Sequence, residues 1–195
     1  MRILAAILLL ISLAACGAEP IYAPDEDVQK YAYSHPGPAK LTLLTVVNKR
    51  SGSGAHTALM VNGAQRVIWD PAGTWWNPWA PERNDLHYGM TPLMFDTYVD
   101  YHTRETFDTV IQELEVSPEV AALAIREMQA YGAVPKAACA VSTSQILSRL
   151  PGFEGFATSY FPNAISRQFG EIPGVTTRRV SDTDSDDNSQ KLPDT

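Results

Sequence analysis

The chain has 195 residues, of which 45% are hydrophobic and 19% charged, with a formal net charge of −7. That is enough for one domain with a proper apolar core, and the composition is that of a soluble globular protein. No Lys/Arg-rich block occurs, so the electrostatic footprint for nucleic acid or anionic lipid is missing.

In chain order, Arg2 is followed by the apolar run ILAAILLLISLAA. The run is long enough for the core of a secretory leader and too short to span a bilayer comfortably. Leu13-Ala14-Ala15-Cys16 closes it. These four residues resemble the lipobox of bacterial lipoproteins. The resemblance implies cleavage before Cys16 and attachment of lipid, palmitate among its acyl chains, to that cysteine. Gly17 after it, in place of Asp, implies the outer membrane, facing the periplasm. The same residues also fit an ordinary secretory leader with a coincidental cysteine.

The expected organisation is a leader over 1–15, a tether over 16–26, one domain over 27–180 and a disordered acidic tail over 181–195. The tail is Ser- and Asp-rich without aromatics, so it buries too little apolar surface to order itself. Within the domain, LTLLTVVNK has the β-branched content of a strand. HTALMV and RVIWD flank Asn62-Gly63, a strong hairpin signal. A loop dense in Pro, Gly and Trp follows, and then a helix with Thr91 as N-cap and Pro92 at its first position. ETFDTVIQELEV reads as a strand. SPEVAALAIREMQAYG is a helix capped by Ser117, begun by Pro118 and stopped at Gly132. A second helix is predicted from about Lys136 to Leu150, ended by Pro151-Gly152; a short helix and room for one edge strand remain. Strands gathered early with helices after them indicate an α+β fold, a small antiparallel sheet packed with helices.

Two cysteines are present, Cys16 and Cys139. If Cys16 carries lipid, Cys139 has no partner in a compartment that oxidises thiols, so it is either protected by burial or kept for chemistry. Its place in the first turn of the second helix, near Lys136, favours the thiolate. A nucleophilic thiol is usually served by a histidine. His35 lies in a turn, His87 in the Trp-rich loop, and His102 at a helix end where a cation is favourable. His56 opens a strand directly after the Gly/Ser loop SGSG, a good place for a base, although a half-buried strand histidine is the commoner case. Asp70, at the end of the next strand, would orient the imidazole, the third role in triad logic. A strict two-residue Asn62-Gly63 turn sets His56 opposite Trp69 and Asp70 on the other face; a three-residue loop or a bulge brings Asp70 opposite His56. Asp70 also suits simple turn initiation.

A helix-initial cysteine, a strand-initial histidine and a polar residue ending the next strand resemble the NlpC/P60 branch of the papain-like cysteine hydrolases. The histidine precedes the cysteine here, which is similar to the circularly permuted group of that superfamily, over roughly residues 41–150. The resemblance implies Cys139 as nucleophile, His56 as general base and Asp70 as orienting residue. Around the nucleophile the family pattern is Asp-Cys-Ser-Gly, whereas this chain has Ala138-Cys139-Ala140-Val141. Trp75, Trp76 and Trp79 suit stacking on sugar rings or covering an acyl chain, or else pin the long loop onto the domain. Metal, nucleotide and G-x-S-x-G motifs are absent, so no cofactor or metal is expected. The expected function is a lipid-anchored envelope thiol hydrolase or acyltransferase acting on amides or esters, peptidoglycan peptides first. The alternative is a non-catalytic envelope lipoprotein that uses the same fold as a binding module.

Overall fold

A computed structural model describes Gly17, Ala18 and residues 20–188. The expected leader, Cys16 and residues 189–195 lie outside the described residues. Seven strands form one antiparallel sheet in the order β4-β5-β3-β2-β1-β6-β7. They are β1 (Lys40–Asn48), β2 (Gly54–Asn62), β3 (Arg66–Trp69), β4 (Glu82–Arg83), β5 (Leu86–His87), β6 (Phe107–Glu115) and β7 (Thr176–Val180). The helices are α1 (Asp25–Lys30), α2 (Pro92–His102), α3 (Pro118–Tyr131), α4 (Cys139–Leu147) and α5 (Pro162–Gly170). The fold is α+β.

Alternation along the strands feeds two cores. Leu41, Leu43, Leu59, Val61, Val67 and Trp69 face α3, α4 and α5. Leu44, Ala58, Met60, Ile68 and Ile111 face Met94, Phe95, Tyr98 and Val99 of α2. The central strand β1 is therefore covered on both faces, which is why its sequence is apolar almost throughout rather than alternating. Thr91 and Ser117 cap α2 and α3 by accepting the Met94 and Val120 N–H groups, with proline at the first turn of each helix.

Five local expectations change. The helix predicted from Lys136 begins at Cys139, because Ala137 adopts φ 65°, a left-handed conformation that no helix interior accommodates. At its other end, Arg149 and Leu150 turn by N–H bonds to the Ile146 and Leu147 carbonyls, three residues back. The hairpin pairs Asn62 with Arg66, so Gly63, Ala64 and Gln65 form the three-residue alternative, but in a register that does not set His56 opposite Asp70. The Trp-rich segment contains β4 and β5, a short ladder that extends the sheet beyond β3. The tether is not free over its length: Ala23 N–H bonds to Glu82 O at 2.8 Å and Asn84 N–H to Ile21 O at 2.7 Å, and α1 follows.

Finally, residues 181–188 of the segment read as a disordered tail lie against the domain. Ser181 hydroxyl donates to Asp108 Oδ1 at 2.6 Å, Lys49 Nζ to Asp182 O at 2.6 Å, and Asn188 Nδ2 to Tyr101 O at 3.1 Å. Polar side chains and backbone there supply the contacts that a lack of apolar surface seemed to rule out.

Candidate active site

Strand β3 pairs with β2 only as far as Leu59↔Trp69. The first half of β2 therefore keeps β1 on one side and has lost its partner strand on the other. Into that gap α4 points its first residue, Cys139, from the α3–α5 layer, and the Thr57 and Ala140 N–H groups face the sulfur. His56 approaches from the other face of the sheet. A bulge precedes it: Val46 pairs with His56 and Val47 with Gly54, leaving Ala55 unpaired, a device that re-aims the neighbouring side chain.

The three-residue connection sets Ala58, not His56, opposite Asp70, since the ladder advances from Leu59↔Trp69. Asp70 thus shares a face with His56 but sits diagonally from it. The diagonal is bridged directly: His56 Nε2–H donates to Asp70 Oδ1 at 2.6 Å. This leaves Nδ1 of the same ring for the Cys139 thiol. The side chain of Asp70 is fully buried, that of His56 is 17% exposed, and Cys139 is 8% exposed. The structure brings Cys139, His56 and Asp70 together.

Two residues that sequence reasoning passed over complete the cluster. The Tyr98 hydroxyl donates to the same Asp70 Oδ1 at 2.5 Å. His102 lies nearly parallel to His56, with ring centroids 5.5 Å apart and planes 8° apart. Its Nδ1–H donates to the Tyr98 carbonyl at 2.9 Å, one helical turn back. Both residues lie four apart on α2, so the signal was a polar pair on the core-facing stripe of that helix. Asp70 Oδ2 makes no hydrogen bond among the described residues and packs against Gly73, where an added Cβ would collide with it.

The charges follow from this geometry. Burial alone would lower the His56 pKa, but the charge and hydrogen bond of Asp70, aided by Cys139, push it up to about 10. Burial works against the Asp70 carboxylate, yet the His56 charge and hydrogen bond hold it well below the usual carboxylate range. Burial would raise the Cys139 thiol; the hydrogen bond and charge of His56, with the Thr57 and Ala140 N–H groups, pull it below its ordinary value. His102 goes the other way. Burial, reinforced by the His56 charge and only partly opposed by Asp70, pulls it to about 4, so this helix-end histidine is neutral rather than the favourable cation expected. The arrangement places a protonated imidazole between a thiol of lowered pKa and a buried carboxylate.

The absent cap matters here. Ala138 occupies the N-cap of α4 and offers no side-chain acceptor to the first-turn N–H groups. Those donors, and the positive end of the helix, are left for a negative charge at Cys139.

The tryptophans separate. Trp75 is 3% exposed, wedged edge-on between His87 and Tyr98 with ring centroids 5.0 and 5.2 Å away. It packs in the core behind the site, and what remains exposed of it lines the cavity that it shares with Trp76. Trp76 and Trp79 are 53% and 42% exposed. Trp76 lines a cavity of about 310 Å³ with Gly73, Asp85, Val134 and Lys136. Neither Cys139 nor His56 lines it; Lys136, in the turn before the nucleophile, contributes to its wall. Burial pushes the Asp85 carboxylate there up to about 6, against the bond it accepts from Val134 N–H at 2.7 Å.

For a metal, ligand atoms of His56, Asp70 and His102 lie within 4.8 Å of one another. The His56–Asp70 contact at 2.6 Å already holds a proton, which a cation would have to displace. A second acidic group, Asp100, Asp182 and Asp184, is partly neutralised by Arg104, which pairs with Asp100 and Asp184 at 3.4 and 3.5 Å.

No protein-family model matches the chain, and neither a curated protein nor a solved structure matches it.

Proposed function

We propose that the protein is a thiol hydrolase or acyltransferase of papain-like, permuted NlpC/P60 type, anchored to the cell envelope through lipid on Cys16. The observation that carries this reading is the 2.6 Å hydrogen bond from His56 to the buried Asp70, with the Cys139 thiol close enough for the His56 charge to lower its pKa. Catalysis starts with the Cys139 proton held on His56. The thiolate attacks the carbonyl carbon of an amide or ester, and the carbonyl π electrons move onto oxygen. As the tetrahedral adduct collapses, the His56 imidazolium gives its proton to the departing amine or alcohol, leaving a thioester on Cys139. Water, or an acceptor alcohol or amine, then attacks that thioester while His56 takes its proton, and the thiolate leaves. Asp70 keeps Nε2 protonated and Nδ1 turned to sulfur throughout. An envelope location makes peptidoglycan peptide amides the first substrate class and lipid or lipoprotein acyl groups the second.

The experiment is intact-mass analysis after incubation with peptidoglycan fragments and with activated esters. A covalent acyl adduct on Cys139, lost in Cys139→Ser and formed more slowly in His56→Gln, supports the reading. Unchanged mass and unchanged substrates with both classes would sink it.

One observation favours a second reading, a binding module: Ala138 and Ala140 flank the cysteine where Asp and Ser stand in the resembling family, and Trp76 and Trp79 are exposed. Under that reading peptidoglycan fragments bind without turnover, and binding survives Cys139→Ser.

A further inference from the structure

The described chain starts at Gly17 beside an exposed apolar cluster. Ile21, Tyr22, Trp76 and Trp79 are 49%, 68%, 53% and 42% exposed. Gly17 and Ile21 share a cavity wall with Trp76, and Ile21, Trp76 and Pro78 share the neighbouring one. This side of the domain is the β4 edge of the sheet, where Ile21–Ala23 is pinned to β4 by backbone bonds of 2.7 and 2.8 Å. Fully extended, the chain from Cys16 to Ile21 reaches at most roughly 17 Å. A lipid on Cys16 would therefore hold this edge, and no other, next to the bilayer.

The chemistry of the edge suits that position. Indole and phenol rings prefer the headgroup level of a bilayer, where one end is wet and the other apolar. The Arg83 guanidinium lies 4.5 Å from the Tyr22 ring centre and pairs with the Asp25 carboxylate, so the charge beside the ring is already balanced within the protein. The acidic segment 181–188 docks on β6 and the end of α2, toward the opposite edge of the sheet, while Asp25, Asp27 and Glu82 are the carboxylates on this side. No helix among the described residues is long and apolar enough to cross a membrane.

We infer that Ile21, Tyr22, Trp76 and Trp79 form a membrane-contact surface that rests in the headgroup layer of the phospholipid bilayer holding the lipid on Cys16. The inference depends on the lipid-anchor reading of Cys16 and is independent of the thiol chemistry. It removes Trp76 and Trp79 from the substrate contacts and seats the cavity lined by Trp76 against the membrane.

The test uses the chain expressed with its leader, its Cys16 lipid verified by mass spectrometry, and reconstituted in phosphatidylcholine vesicles. Of the four tryptophans, Trp69 and Trp75 are buried, so Trp76 and Trp79 should supply the emission quenched when the lipids carry shallow bromines. The expected result is strong quenching that disappears in W76F/W79F, while the fold, read by circular dichroism, is unchanged. Absence of quenching with lipid verified on Cys16 overturns the inference, as does quenching that persists in the double variant. If Cys16 proves bare, the anchor reading has failed separately. A chain beginning at Cys16, in a Cys139→Ser background, is then coupled through Cys16 to a maleimide phospholipid. Quenching there supports the surface and its absence overturns it. A higher KM for a soluble peptidoglycan fragment in W76F/W79F, without quenching in the parent, assigns the indoles to substrate and also overturns it.

Discussion

His56 and Tyr98 donate to one and the same oxygen, Oδ1 of Asp70, at 2.6 and 2.5 Å. The two donors reach it from different elements, β2 and α2, so the carboxylate orientation is set by the packing of the helix on the sheet. Tyr98 acts through Asp70 on His56 and is a positioning residue.

Removing only that hydroxyl, in Tyr98→Phe, should leave the fold intact and lower kcat about tenfold, the effect of one lost charge-assisted hydrogen bond of roughly 1.5 kcal/mol, with KM little changed. Steady-state kinetics on the substrate found by adduct trapping measure the split. Equal loss through KM would mean that Tyr98 shapes substrate binding instead.

Iodoacetamide reactivity should report the charge relay. The His56 charge lowers the Cys139 thiol, so wild-type alkylation should rise with pH around a midpoint below the ordinary value of about 8.5. Asp70→Asn removes the charge that keeps the proton on His56. The imidazole pKa then falls, and that of the thiol, with the Thr57 and Ala140 N–H groups as its remaining support against burial, rises. The midpoint of the variant should move above about 8.5. Superimposed profiles would show that Asp70 does not govern the thiol.

Stability against pH carries the same signature. The folded His56 pKa is raised from 6.5 to about 10, so its stabilising contribution is complete below 6.5 and is lost as pH rises through about 10. The folded Asp70 pKa is depressed, so its contribution is present above the ordinary carboxylate range and is lost as pH falls below it. The Tm difference between wild type and His56→Gln should be greatest near pH 5–6 and shrink toward pH 10, as followed by thermal melts across pH. A constant difference would mean that the pair does not titrate as an ion pair.

Gly73 is the other support of the carboxylate. An added Cβ would collide with Asp70 Oδ2, an atom held in a fully buried side chain. Gly73→Ala should cost about 1–3 kcal/mol by overpacking and displace the carboxylate from His56. Denaturant unfolding and the alkylation profile check both effects. The profile should shift toward that of Asp70→Asn, which a loop change without contact to Asp70 would not produce.

What the sequence determined by itself is the local part. Thr91-Pro92 and Ser117-Pro118 start helices because caps and proline act within one turn. β1, β2 and β6 are legible because apolar and β-branched residues in a short run suit a covered strand. His56 at a strand start and Cys139 near a helix start followed from the same local signals. Tertiary structure decided the rest. Ala137 is left-handed with no glycine to announce it, so the start of α4 at Cys139 was hidden. The hairpin register depended on which residues of Asn62–Arg66 remained paired, and a shift of one would have turned Asp70 to the wrong face. Tyr98 and His102 read as helix residues because only the packing of α2 on the sheet carries them to Asp70. Trp75 and Trp76 are neighbours in sequence, yet one is core and the other surface, since burial depends on long-range packing that chain position does not encode. The relay itself exists because β3 ends at Trp69 and opens a gap beside β2, a feature of strand lengths in three dimensions that no motif records.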